Sequence, residues 1–161
     1  MVEQLRQQPE SSTVDFGDVV REVALDVSPL IADKALDFEL DAEIVPVHAH
    51  LWMLQELGRN LLHNAIKHSP AGGALTVRVR VDRAMAVLQI HDGGPGISQE
   101  LRARLFAPFS AGDVSGGSGL GLAICREIVQ TLDGAISLEN RRVGSHIVGL
   151  DATVWLPLSQ E

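Results

Sequence analysis

The chain has 161 residues, typical of one domain of about 100–200 residues, and its 45% hydrophobic and 21% charged residues exclude a disordered or low-complexity protein. Thirteen Lys and Arg residues against 21 Asp and Glu residues give a formal net charge of −8, which argues against nucleic acid or an anionic membrane as a partner. The single cysteine, Cys125, excludes an internal disulfide, and no apolar run reaches the roughly 18–20 residues of a membrane span.

The polar residues 1–11 are predicted to be the stub of an upstream helix or linker, and residues 12–161 a single domain. Period-2 alternation predicts strands and 3.6-residue spacing predicts helices, with Pro29 expected to bend or break the first helix. The predicted elements, in chain order, are a strand at 12–16, a helix at 18–34, strands at 35–40 and 45–47, a helix at 49–68, strands at 74–81 and 85–91, helices at 98–105 and 120–132, and strands at 135–139 and 153–158.

Helices and strands are mixed along the chain without strict alternation. This order predicts an α/β (α+β) two-layer sandwich, in which a mixed, largely antiparallel sheet of about five strands packs on three main helices. Gly134 is expected to end the last helix as its C′ glycine. The apolar residues expected to pack inside include Leu25, Leu30, Leu51, Trp52, Cys125 and Trp155.

The first candidate site is a polar face of the helix at 49–68. Glu56, Asn60 and Asn64 fall at i, i+4 and i+8, with Lys67 one turn further, so they share a face beside the leucine stripe. A solvated polar face is the ordinary alternative. Asparagine is a mediocre helix former, however, so two asparagines one turn apart favour a functional role. A side-chain amide oxygen suits Mg²⁺, and Lys67 can place a charge near phosphate.

The second candidate is the run Asp92-Gly93-Gly94-Pro95-Gly96, directly after a predicted strand. A carboxylate at a strand end can accept a hydrogen bond from an amino group, and the glycines allow close backbone approach and positive φ. An ordinary turn between two elements remains the alternative.

The third candidate is the glycine-rich run 116–122, which opens a predicted helix. Free N–H groups and the helix dipole at such an N-terminus favour an anion. The run lacks the Lys-Ser or Lys-Thr ending of a P-loop, and no strand precedes it as a dinucleotide fingerprint requires. A flexible linker before a helix is the alternative.

Together, the order and spacing of these motifs resemble the catalytic, ATP-binding domain of bacterial sensor histidine kinases, which belongs to the GHKL superfamily with its Bergerat-type sandwich. The N box resembles residues 60–70, the G1 box residues 92–97, the F box residues 105–109 and the G2 box residues 117–124. The resemblance covers about residues 12–158. It implies binding of ATP with Mg²⁺ and transfer of the γ-phosphoryl group to a histidine.

The resemblance implies a role for each matching position. Asn64 would coordinate Mg²⁺, with Asn60 as a supporting ligand of the metal or phosphates, and Lys67 would contact phosphate. Asp92 would accept a hydrogen bond from the adenine amino group. Residues 107–117 would form the ATP lid, anchored by Phe106 and Phe109. The other ATP-binding positions would be Gly94, Gly96, Ile97, Gly117, Ser118, Gly119, Leu120, Gly121 and Leu122.

Asn60 separates this chain from other GHKL branches, the ATPases and serine kinases, which carry Glu at that position. Asparagine cannot act as a base, whereas a neutral imidazole already offers a lone pair and needs no strong base. Transfer to histidine therefore fits better than hydrolysis, with Glu56 as a candidate polariser of the imidazole. The lid holds no Lys or Arg, which keeps a non-catalytic nucleotide-binding module open as an alternative.

None of the six histidines lies in the family's phosphoacceptor context. The resemblance therefore implies a piece of a larger protein, with ATP and ADP, the dimerisation and phosphoacceptor helices of the same protein, and a downstream response regulator as partners. The domain itself is expected in the cytoplasm without direct membrane contact, and the full-length protein in the bacterial inner membrane.

Overall fold

The computed structural model describes residues 11–106 and 118–160, with only the backbone at 105–106 and 118–120. The elements within these ranges follow the predicted order. They are β1 (Ser12–Asp15), α1 (Phe16–Asp26), α2 (Ser28–Asp33), β2 (Asp37–Ala42), β3 (Pro46–Ala49), α3 (Leu51–His68), β4 (Ala74–Asp82), β5 (Met85–Asp92), α4 (Gln99–Phe106), α5 (Ser118–Thr131), β6 (Ala135–Val143) and β7 (His146–Pro157).

Five strands form one sheet in the order β2-β4-β5-β7-β6. The pair β2 and β4 is parallel and the other three pairs are antiparallel. A separate antiparallel pair joins β1 to β3. The predicted mixed, largely antiparallel five-stranded sheet is confirmed.

Three main helices, α1, α3 and α5, contribute to one core with the sheet, as predicted. Leu54, Leu57 and Leu62 of α3 are fully buried, as are Leu88 and Ile90 of β5. Alternate residues of a strand share a face, so Leu88, Ile90 and the next inward residue, Asp92, lie on the same side of the sheet. The strand therefore delivers one carboxylate into the interior at its end.

The first predicted helix is broken at Val27, just before Pro29, which confirms the expected break. It begins at Phe16, two residues earlier than predicted, because Asp15 caps it. Asp15 Oδ1 accepts hydrogen bonds from Gly17 N at 3.0 Å and from Val45 N at 2.9 Å.

Four residues expected to pack inside are exposed. Leu25 and Leu30 are 72% and 40% exposed, and Leu51 and Trp52 in the first turn of α3 are 46% and 45% exposed. Leu25 and Leu30 lie on the outer faces of α1 and α2, and spacing alone does not show where along α3 the covering layer begins. Cys125 is fully buried as expected, and burial raises the pKa of its thiol to about 12.

The end of α5 differs from the prediction by one position. Asp133, not Gly134, has the positive φ of the C′ residue, at 59°. Gly134 N donates to Val129 O at 2.9 Å and Asp133 N donates to Gln130 O at 3.1 Å, the pattern of a Schellman motif with Gly134 at C″. Glycine is needed at 134 because a Cβ there would collide with Trp155 O.

The hairpin of β6 and β7 is longer than predicted and includes residues 140–143 and 146–152. Asn140, Gly149 and Asp151 in these segments are residue types that strands disfavour, so propensity ended the prediction too early.

We expect Ala84→Gly to raise the free energy of unfolding by about 0.5–1 kcal/mol. Arg83 and Ala84 connect β4 to β5, and both have positive φ, 52° and 63°. A Cβ in this region costs roughly 1–2 kcal/mol, which exceeds the roughly 0.4–1 kcal/mol of entropy that a glycine adds to the unfolded chain. Urea denaturation would measure the change.

The matched control is Ala32→Gly, at an exposed position of α2 without positive φ. That variant is expected to lose about 0.5–1 kcal/mol. Equal losses in the two variants would contradict strain at Ala84.

Candidate functional site

Asp92, the last residue of β5, has a buried carboxylate, and backbone N–H groups occupy one of its two oxygens. Its Oδ1 accepts hydrogen bonds from Gly94 N at 2.8 Å and Leu150 N at 3.2 Å. Its Oδ2 accepts no hydrogen bond from the residues that the structure describes. Burial raises the pKa of Asp92, and the two backbone hydrogen bonds, followed by His68 and Arg141, oppose that rise. The site thus offers one oriented acceptor oxygen in a desolvated setting.

The glycines after Asp92 allow the chain to pass against its neighbours. A Cβ on Gly94 would collide with His68 O at the end of α3. Gly96 has φ of +74°, and a Cβ there would meet the side chains of Asn140 and Ile147. Ile97 then packs partly buried against the core. The predicted glycine loop is therefore present and lies directly on the C-terminal end of α3.

The C-terminal end of α3 is held by a residue that sequence reasoning missed. Lys34 Nζ donates to Ile66 O at 2.8 Å, Lys67 O at 2.9 Å and Ser69 O at 2.7 Å. An ammonium at this end satisfies free carbonyls and complements the helix dipole. The side chain of Lys67 itself is exposed. Lys34 thus fixes the backbone of the turn that carries Lys67.

The polar face predicted on α3 exists and is half-buried. Asn60 Nδ2 donates to Glu56 O at 2.9 Å and to Glu56 Oε2 at 3.3 Å, and Arg59 lies 3.3 Å from Glu56 Oε1. The Asn60 amide is therefore oriented with its nitrogen toward Glu56. Glu56 is an orienting partner of Asn60 in this arrangement.

Asn64, one turn beyond Asn60, has a buried Oδ1 with no hydrogen-bond partner among the described residues. Leaving a buried acceptor unsatisfied costs about 1–3 kcal/mol, so such an atom calls for an explanation. An oxygen of this kind suits a hard cation. The structure thus fits the predicted metal ligand at Asn64.

The N-terminal half of α5 approaches the same face. A Cβ built on Gly121 would lie 3.0 Å from Asn60 Oδ1, so glycine allows the close contact of α5 with α3. Leu122 is buried in the core behind this contact. The backbone at Ser118, Gly119 and Leu120 is helical, while Phe109 and Gly117 lie outside the described residues.

The structure brings the three predicted clusters together around α3. Gly121 of the glycine-rich run meets Asn60, and Gly94 of the loop meets His68. The N-terminus of α5 and the loop after Asp92 therefore contact different points along α3.

Within 11–106 and 118–160, none of the helices has the length and apolarity to cross a membrane.

Two further residues, Asn140 and Arg141 of β6, contact the loop at both ends and were missed. Asn140 Oδ1 accepts from Ile97 N at 2.8 Å, and its Nδ2 donates to Ile97 O at 2.6 Å. Arg141 Nη2 donates to Asp92 O at 2.7 Å. An asparagine within an otherwise strand-like run was the one local signal.

Comparison with curated proteins finds sensor kinases. "Sensor protein kinase PmrB" of Pseudomonas aeruginosa is 35% identical over 91% of this chain and 31% of its own length. "Signal transduction histidine-protein kinase/phosphatase MprB" of Mycolicibacterium smegmatis is 33% identical over 89% of this chain and 33% of its own length. The chain thus spans about a third of these relatives.

Solved structures agree. The mycobacterial sensor histidine kinase MprB superposes with a TM-score of 0.80 and 31% identity, covering 92% of this chain and 97% of that one. The catalytic domain of histidine kinase ThkA superposes with a TM-score of 0.78 and 28% identity, covering 92% and 96%.

The sequence profile described as "Histidine kinase-, DNA gyrase B-, and HSP90-like ATPase" matches residues 52–160, which include all of α3 except its first residue, the Asp92 loop and α5. The chain therefore belongs to this ATP-binding family, as the catalytic domain of a sensor histidine kinase.

Proposed function

We propose that this domain binds ATP with Mg²⁺ and transfers the γ-phosphoryl group to a histidine on dimerisation and phosphoacceptor helices outside the chain. The observation that carries the proposal is Asn64 Oδ1, a buried oxygen that no described residue satisfies. A bound metal ion would give this oxygen a partner, and Mg²⁺ needs few protein ligands because it keeps several waters. When bound, Mg²⁺ neutralises charge on the transferring phosphates.

At the end of the site that binds the base, Asp92 Oδ2 accepts a hydrogen bond from the adenine amino group. Its partner oxygen is held by Gly94 N and Leu150 N, so the carboxylate cannot rotate away. The backbone at Gly94, Gly96 and Ile97 forms the adjoining wall. This arrangement favours adenine over guanine, since guanine carries a carbonyl where adenine carries the amino group.

At the phosphate end, Asn64 ligates the metal and Asn60 Oδ1 supports the metal or a phosphate beside Gly121. The N-terminal turn of α5 directs free N–H groups and the positive end of its dipole to the phosphates, and Lys67 adds a point charge. Leu122 anchors that turn in the core. The contributions of Phe109, Gly117, Ser118, Gly119 and Leu120 rest on the family resemblance.

The transfer step needs positioning more than base catalysis. A neutral imidazole nitrogen attacks the γ-phosphorus, a P–N bond forms, the bond to the bridging oxygen breaks, and ADP leaves with that electron pair. Asn60 cannot take a proton, so water is not activated there. Glu56 holds the Asn60 amide in place, and its half-exposed carboxylate is the candidate polariser of the incoming imidazole.

The partners of this proposal are the dimerisation and phosphoacceptor segment of the same protein and a response regulator. Histidine kinase ThkA has been solved in complex with response regulator protein TrrA, and that structure superposes with a TM-score of 0.75 and 25% identity, covering 98% of this chain and 46% of that one. We place the domain in the cytoplasm and its full-length protein in the bacterial inner membrane.

The test is transfer of radiolabel from ATP, with Mg²⁺, to the phosphoacceptor segment supplied in trans. We expect an acid-labile, base-stable label on that segment, as a phosphoramidate requires. An acid-stable label would indicate a serine kinase, and release of phosphate without labelling would indicate an ATPase. Binding without either product would indicate a non-catalytic module. A phosphoacceptor segment with its histidine replaced is the control.

A further inference from the structure

Adjacent residues of β6 hold the two ends of one loop. Asn140 makes two hydrogen bonds to the backbone of Ile97, and Arg141 donates one to the carbonyl of Asp92. The loop between them, residues 93–96, consists of three glycines and Pro95, so three of its four residues restrict the backbone little. Its span is therefore set by contacts at residues 92 and 97.

These contacts cross a whole strand, because β7 lies between β5 and β6. Arg141 pairs with Gly149 of β7, and a Cβ on Gly149 would collide with both Asp92 O and the Arg141 guanidinium. The missing side chain leaves the passage through which Arg141 reaches Asp92. A register shift between Arg141 and Arg142 marks a bulge at the same point, a device that redirects side chains.

The Arg141 guanidinium is itself fixed. Its Nη1 donates to Asp151 Oδ1, which also lies 2.7 Å from His91 Nδ1. His91 is the residue before Asp92 and pairs with Asp151 in the sheet. The planar guanidinium donates to Asp92 O through one nitrogen and to Asp151 through the other. A single ammonium does not reproduce this pair of contacts.

We propose that Asn140 and Arg141 are positioning residues that set the distance between Asp92 and Ile97 and thereby the base specificity of the nucleotide site. This inference rests on the proposed function, since the base is assigned to the Asp92 carboxylate. Neither residue touches the reacting atoms. They act through the backbone on which the Asp92 carboxylate and the adjoining wall are mounted.

The variants Asn140→Leu and Arg141→Met remove the hydrogen bonds while keeping the branching of the first side chain and most of the volume of the second. We expect each variant to weaken ATP binding about 10-fold and to lower the preference for ATP over GTP, because each removes the hydrogen bonds that hold one end of the loop. The dependence of binding on Mg²⁺ is expected to stay unchanged, since Asn64 is untouched. Arg141→Lys should restore only part of the loss.

Arg142→Met is the matched control, because Arg142 is exposed and its side chain makes no hydrogen bond or ion pair to the described residues. Calorimetric titration with Mg-ATP and Mg-GTP measures the specificity. An equal loss for both nucleotides, or an unchanged preference, would show that Asn140 and Arg141 merely stabilise the fold and would overturn the inference.

Amide hydrogen exchange of the nucleotide-free protein tests the same inference without its ligand. In Asn140→Leu we expect faster exchange at the Ile97 amide, with β4 and β5 as protected as in wild type. Unchanged exchange at residues 93–97 would overturn the positioning role. A wild-type protein that binds neither nucleotide would overturn the proposed function and the specificity claim with it, and the exchange data would then decide the positioning role alone.

Discussion

Asp92→Asn is expected to weaken ATP binding by about 100–1000-fold while leaving the fold at least as stable at neutral pH. The carbonyl oxygen of asparagine can still accept from Gly94 N and Leu150 N, as Oδ1 does now. The amide nitrogen then stands at the position of Oδ2 and presents donors to the donor group of adenine. Two facing donors leave both desolvated and unpaired.

The same variant should change the preference between bases. An amide donor complements the carbonyl of guanine, so the ratio of ATP to GTP affinity is expected to fall. Calorimetric titration with both nucleotides gives the ratio. Asp41→Asn, the same change at an exposed position of β2, is the matched control and should bind as wild type does. Wild-type affinity for ATP in Asp92→Asn would remove Asp92 from the base site.

The stability of Asp92→Asn should depend on pH in a defined sense. Burial raises the pKa of Asp92 in the folded chain above the ordinary aspartate value of 3.8. Burial favours the neutral carboxyl, so the protonated side chain contributes to the stability of the wild type. This contribution is fully present below pH 3.8 and is lost as the pH rises through the pKa of the folded chain. The variant is therefore expected to exceed wild type in unfolding free energy at pH 7 and to match it near pH 3.5–4. A larger advantage at low pH would contradict a raised pKa.

Asn64→Leu is the second variant with a large expected effect. Leucine keeps the branch at Cγ and removes the unsatisfied oxygen, so we expect an unchanged unfolding free energy or a gain of about 1 kcal/mol. Loss of a metal ligand is expected to lower Mg²⁺-dependent ATP affinity and phosphoryl transfer by about 100-fold or more. Opposite signs for stability and function would identify a residue kept for its ligand.

Nucleotide binding at increasing Mg²⁺ concentration measures this role. In wild type the affinity for ATP should rise with Mg²⁺, and in Asn64→Leu that rise should disappear. His63→Leu, at the exposed neighbouring position of α3, introduces the same residue away from the face and is the control. An equal Mg²⁺ dependence in Asn64→Leu and wild type would exclude Asn64 as the ligand.

The sequence predicted the elements that repeat a local pattern. The spacing of the leucines predicted the helix α3, and the alternating valines predicted the strand β4. Four motifs in a fixed order indicated the family. The polar face of Asn60 and Asn64 followed from helical spacing alone, since residues four apart must share a side. Where the pattern weakened, as at the first turn of α3, the predicted burial was wrong.

Local pattern therefore predicted the five-stranded sheet, the main helices and the candidate site residues on α3 and β5. Tertiary packing decided how those residues are held. Asn140, Arg141 and Leu150 contact the loop from 43, 49 and 58 positions away, and Lys34 caps α3 from more than thirty. Contacts at such separations depend on strand order and on a glycine that leaves a passage, and no short stretch of sequence contains that information.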